Sequence, residues 1–144
     1  MISSAGLRLI RSFESFSPLP YLCPAGYKTL GWGHVVKPGE LFDLPLSQEN
    51  AETLLLKDVG YTERAISRLI RVPLKQEMFD SLGSWVYNLG SGALQRSTLR
   101  IVLNRGEYVE APNEIRRWIF VGARKIKGLI YRREIEARLF ESSL

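Results

Sequence analysis

One cysteine, one histidine and no long apolar run set the first limits on this chain. With Cys23 alone, no intrachain disulfide and no four-cysteine zinc site can form. With His34 alone, no site can hold two histidine ligands, and any histidine-based triad must use this one. No segment reaches the ~18 uninterrupted apolar residues that a membrane helix needs. Arg8, Arg11 and Glu14 fall where a signal peptide would require its apolar core. As written, the chain is expected to stay in the cytoplasm where it is made, so a target outside the membrane requires something else to let it out. Internal repeats and low-complexity tracts are also missing.

What is there is an ordinary globular balance. The chain has 144 residues, 45% of them hydrophobic and 24% charged, enough for one domain or one domain split into two lobes. The net charge is +5 and it is unevenly spread. Residues 1–72 hold 8 basic and 7 acidic groups, and residues 73–144 hold 12 and 8. Arg116, Arg117, Arg124, Lys125, Lys127, Arg132, Arg133 and Arg138 face only Glu134 and Glu136 within residues 115–140. Such an excess is either a solvated surface or an attraction to a polyanion: nucleic acid, an anionic membrane or an anionic cell wall.

Periodicity places the elements. Ser3 or Ser4 caps a first helix reaching about Ser15, with Leu9, Ile10, Phe13 and Phe16 at helical spacing. The segment SPLPYLCPAG, residues 17–26, reads as a rigid loop because it holds three prolines and a glycine. YKTLGWGHVV, residues 27–36, reads as short strands with tight bends. Ser47 caps a long helix running toward Val72-Pro73, with Gly60 as its weak point. Residues 75–89 carry a clean apolar stripe that Gly90-Ser91-Gly92 ends. Shorter helices are expected near 97–103, 112–120 and 129–141. Trp85 and Trp118 lie on helical stripes and read as core. The layout is α+β, with a small β-containing N-terminal lobe over about 1–58 and a larger helical lobe over about 59–144.

Glu14 sits beside Phe13 at the border of the first helix's apolar face, where partial burial favours a carboxyl that keeps its proton. By position alone it is an ordinary helix-end glutamate. Cys23 follows after eight intervening residues and Thr29 after five more, leading into Leu30-Gly31-Trp32-Gly33-His34. This spacing resembles the catalytic segment of the phage-type lysozymes, the endolysin muramidases that cut the glycan strands of peptidoglycan. The likeness continues through Val72-Pro73-Leu74 with Phe79-Asp80-Ser81-Leu82, through Asn88-Leu89-Gly90-Ser91-Gly92-Ala93, through Trp118, and through Gly128-Leu129-Ile130-Tyr131-Arg132-Arg133.

The resemblance implies a lysozyme-like fold with a cleft between two lobes, and hydrolysis of the β-1,4 linkage between N-acetylmuramic acid and N-acetylglucosamine with inversion. It implies Glu14 as the acid, with Cys23 and Thr29 holding the attacking water. It assigns Tyr21, Trp32, Gly33 and Val35 to the substrate and gives His34 a structural place beside a carboxylate. No metal and no cofactor are implied. The expected partners are peptidoglycan and a holin-like permeabiliser, with the chain a monomer that binds no nucleic acid and inserts in no membrane. Many relatives carry aspartate where Cys23 stands. A free thiol is mostly neutral at pH 7, and no lysine or arginine lies within four residues of it. A neutral Cys23 that only shapes the water site is therefore expected. The rival readings are a wall-binding or scaffold module that kept the fold without the activity, and a basic nucleic-acid binder, although no nucleic-acid motif accompanies the charge.

Overall fold

Helix α1 (Ser4–Glu14) starts where the chain supplies a cap, the Ser3 side chain accepting from the Gly6 N–H. Asp80, from far along the chain, accepts from both the Ser3 amide and the Ser3 hydroxyl. The computed structural model describes residues 1–144. After α1 come β1 (Ser17–Leu22), β2 (Lys28–Gly31) and β3 (His34–Val35), an antiparallel sheet in the order β1-β2-β3. Helices α2 (Gln48–Leu69), α3 (Gln76–Leu89), α4 (Ser91–Arg96), α5 (Thr98–Asn104) and α6 (Ala111–Arg116) follow. A small hairpin, β4 (Phe120–Val121) and β5 (Arg124–Lys125), leads into α7 (Lys127–Glu141).

The α+β expectation matches this architecture. Helix α2 is unbroken through Gly60 and its 22 residues span about 33 Å, long enough to run from the sheet to the main helical core. Its first turns put Ala51 against Leu30 and Leu46 beneath the sheet. Its middle packs Leu55 and Val59 on Ile2 and Ile10 of the N-terminal segment. Its last turns join the main core with Ile66 and Leu69, where Trp85, Leu94, Leu99, Ile115 and Phe140 are sealed from solvent. Trp118 packs edge-on against Trp85, with ring centroids 5.3 Å apart.

Three local expectations are corrected. Residues 17–22 form a strand although Pro18 and Pro20 lie in it. β1 is an edge of the sheet, where a residue without an N–H breaks no ladder, and its pairing with β2 is irregular between Ser17 and Tyr21. Gly90 at φ 89° ends α3, but the next helix starts at once, because Ala93 and Leu94 are drawn into the core. The helix expected over 112–120 stops at Arg116, where the chain leaves the helix to seat Trp118 and then turns into the β4–β5 hairpin. No helix is long and apolar enough to cross a membrane.

Candidate active site

Glu14 is the last residue of α1, at the junction of the sheet with the helices. Its Oε1 accepts from Arg132 Nη1 of α7 at 2.6 Å, and the carboxylate is mostly buried. The other oxygen takes no protein hydrogen bond and faces the tight turn between β2 and β3. A Cβ placed on Gly33 there would come within 2.5 Å of Glu14 Oε2. Gly33 has φ 78°, the left-handed region, so this turn needs glycine both for its backbone and for the approach to Glu14. Gly33 and Val35 form one wall of a cavity of about 310 Å³, closed on the helical side by Asp58, Tyr61, Tyr87 and Ser91. This cavity lies between the β2–β3 turn and helices α2 to α4; Glu14, Tyr21, Cys23 and Thr29 do not line it.

Cys23 and Thr29 belong to the β1–β2 hairpin. The Tyr21–Thr29 register aligns the strands, and the Cys23 amide donates to the Tyr27 carbonyl at 2.9 Å. The turn that follows folds back over the sulfur, with the Tyr27 amide 3.4 Å from Sγ. Burial alone would push the Cys23 thiol up. The amides of Tyr27, Ala25 and Gly26 and the Thr29 hydroxyl outweigh it and hold the thiol below its ordinary range. The groups that lower it are mainly backbone amides, which the absence of nearby lysine and arginine in the sequence does not reveal. Thr29 Oγ1 donates to the Tyr27 carbonyl at 2.9 Å. Having one proton, it serves either that carbonyl or the sulfur, and when it serves the carbonyl its lone pairs are free for a water.

Tyr21 joins these groups electrostatically. Burial raises its pKa first, and the charges of Glu14 and Cys23 raise it further, so it stays a neutral donor beside both. It is two-fifths exposed, as is suited to a ligand contact, and Val35 is similarly open. Trp32 is half-buried. One side packs on Phe16 with centroids 5.1 Å apart, and the Arg11 guanidinium lies 5.9 Å from the ring centre. Its contribution at the lobe junction is its carbonyl, which accepts from the Tyr87 hydroxyl at 2.6 Å. Burial keeps that hydroxyl far above its usual titration range and hence a donor.

His34 is buried and held at both ring nitrogens, Nδ1 2.7 Å from Asp58 and Nε2 3.0 Å from Glu40. Both nitrogens are occupied, so the ring fastens the turn to α2 and has none free for a substrate. No group of three or more His, Cys, Asp or Glu side chains is placed to hold a metal ion. The basic C-terminal stretch is less of a surface than its sequence indicates. Arg132 and Arg133 are buried, and Arg116, Arg117 and Arg138 pair with Glu134, Glu141 or Glu114. Arg124, Lys125 and Lys127 remain outside these pairs.

Sequence reasoning left Arg132, Asp58 and Tyr87 without a role. Arg132 lay in a recognised motif, but it reads as one more charge of a solvated helix face until α7 is docked on α1.

A two-lobed α+β fold with a carboxylate at the lobe junction and a hydroxyl–thiol pair on the adjoining hairpin defines a lysozyme-type protein. The Phage lysozyme family matches residues 11–136, and the chain belongs to that family. It is 40% identical over 144 residues to an endolysin of Bacillus phage B103, covering 96% of this chain and 53% of that protein, so it spans about half of that relative's length. It is 38% identical to an endolysin of Acyrthosiphon pisum secondary endosymbiont phage 1, with 99% of both chains covered. Among solved structures, the endolysin from Escherichia coli O157:H7 phage FAHEc1 superimposes with a TM-score of 0.86 at 33% identity, over 100% of this chain and 95% of that one.

Proposed function

We propose that this protein is an endolysin muramidase that hydrolyses the β-1,4 bond between N-acetylmuramic acid and N-acetylglucosamine with inversion, for host cell lysis. The carrying observation is Glu14, pinned through one oxygen by Arg132 and free at the other beside the cavity wall. In this reading Glu14 gives its proton to the glycosidic oxygen as the bond breaks. A water held by Thr29 and Cys23 attacks the anomeric carbon from the opposite face. Thr29, its own proton directed to the Tyr27 carbonyl, accepts from that water, the Cys23 sulfur in its amide cradle shapes and polarises the water site, and the proton the water loses passes to solvent. A second carboxylate is then unnecessary on this side. Peptidoglycan is the substrate, no cofactor takes part, the chain acts as a monomer, and a holin-like permeabiliser admits it from the host cytoplasm to the wall.

The test is lysis of permeabilised Gram-negative cells, with release of reducing sugar from purified peptidoglycan. Glu14→Gln keeps the shape of the side chain but cannot donate an acidic proton, and is expected to lose about 10²–10⁴-fold in rate while folding normally. A wild-type protein that binds wall without releasing sugar would support the scaffold reading instead.

A further inference from the structure

Beneath Glu14 lies a cluster of buried charge that the reaction as described does not use. Glu136 of α7 is fully buried. Its Oε2 accepts from the Ser84 hydroxyl at 2.5 Å and from Arg132 Nε at 3.2 Å. Its Oε1 is 3.0 Å from Arg133 Nε, an ion-pair distance with an angle too bent for a hydrogen bond. Arg132 is thereby fixed along its whole fork. Nε goes to Glu136, Nη2 to the Ser84 carbonyl at 2.9 Å, and only Nη1 reaches Glu14. The Phe13 ring lies beneath the guanidinium at 4.7 Å, closing that face.

Burying two guanidiniums and a glutamate is a poor way to gain stability, since well-packed apolar residues of similar volume often do as well or better. A role in the reaction would account for it. Glu14, Glu136, Arg132 and Arg133 together are neutral when Glu14 is ionised and carry one positive charge when it holds a proton. An arginine alone beside Glu14 would favour the ionised form and oppose the proton an acid must carry. Glu136 draws on the same guanidinium from its other edge.

We propose that Glu136 is a positioning residue for Glu14: it fixes the register of Arg132 and offsets its charge, so that Arg132 orients the acid without stripping it of its proton. This rests on the reading of Glu14 as the acid. Burial pushes the Glu136 carboxyl up and brings Arg133 down to about 10, so Arg133 is still charged at neutral pH. Arg133 also acts on Glu14 through its charge, and the other groups coupled to Glu14 are Tyr21 from β1 and Tyr87 from α3, both neutral, with Asp58 in turn acting on Tyr87. Only Arg132 and Arg133 face Glu136 as charges.

The experiment is the pH profile of peptidoglycan hydrolysis, read as kcat and KM separately. Glu136→Gln leaves Arg132 uncompensated, and the alkaline limb is expected to move to lower pH by about half a unit or more, with KM changed by less than about threefold. Arg133→Gln leaves Glu136 paired with Arg132 and removes a positive charge, so its limb is expected to move the opposite way. Glu136→Asp keeps the charge and is expected to hold the limb near the wild-type position even if kcat falls. If Glu136→Gln does not fold, the Arg133→Gln shift carries the test. Glu14→Gln is run alongside. Should it stay active, the acid assignment fails. Should it be dead while neither the Glu136 nor the Arg133 variant moves the limb, the acid assignment stands and the positioning role is overturned.

Discussion

Replacing Gly33 by alanine tests whether the close approach of the β2–β3 turn holds Glu14 in place. The added Cβ would meet Glu14 Oε2 at 2.5 Å, Cδ at 2.9 Å and Cγ at 3.3 Å. An ordinary contact begins near 3.4 Å, so the carboxylate must give way by about 1 Å. It cannot swing freely, because Arg132 grips its other oxygen at 2.6 Å. A misplacement of ~1 Å in a reacting group costs on the order of 10²-fold in rate, and that loss is the expected outcome. The backbone adds a separate effect. Left-handed geometry costs a residue with a Cβ about 1–2 kcal/mol, offset by roughly 0.4–1 kcal/mol from a stiffer unfolded chain. The net, about 0–1.6 kcal/mol, lowers Tm by up to about 5 °C for a chain of this size. Gly39 separates the two effects, since it has φ 83° and open space where its Cβ would go. Gly39→Ala is expected to show a similar fall in Tm with full activity. Calorimetry and cell lysis measured on both variants decide it. A Gly33→Ala enzyme with more than about a third of wild-type activity would refute the claim that this contact fixes the acid.

Two further outcomes follow from the site. The amide cradle at residues 25–27 suits an anionic oxygen as well as a thiolate, so Cys23→Asp is expected to match or exceed wild-type lysis near neutral pH. Cys23→Ser should keep measurable lysis, and Cys23→Ala should lose less than Glu14→Gln does; lysis rates at matched folding check this, and serine and aspartate variants as inactive as Glu14→Gln would make the thiol indispensable. For His34, burial opposes the charged ring, but Asp58 and Glu40 overcome it and raise its pKa. Its folded value lies above its unfolded one, so its contribution to stability is complete below about pH 6.5 and is lost as pH rises through the folded value. Denaturant midpoints across that range are expected to fall on the alkaline side, and Asp58→Asn to flatten the slope.

Much of this protein was decided locally. The apolar spacing of Ile10, Leu55, Val59, Leu82 and Trp85 set the faces of α1, α2 and α3, because a 3.6-residue period admits only one side to a core. Ser3 and Ser47 set where two helices begin. The run from Glu14 through Cys23 and Thr29 to His34 lies within 21 residues on one helix end and one hairpin, so its spacing in the chain already carried most of its arrangement. Tertiary structure decided the rest. Proline in β1 was compatible with a strand only because that strand became an edge. The chemistry of Cys23 depended on amides that converge only when the hairpin turn closes. Arg132 reaches Glu14 across 118 residues of sequence, and Asp58 reaches His34 across 24. No local pattern separates a guanidinium bound for a buried carboxylate from one bound for water. The charge of α7 became two different things, a solvated pair such as Arg138 with Glu134 and a sealed cluster around Glu136, only when the helix docked and one of its faces lost contact with solvent.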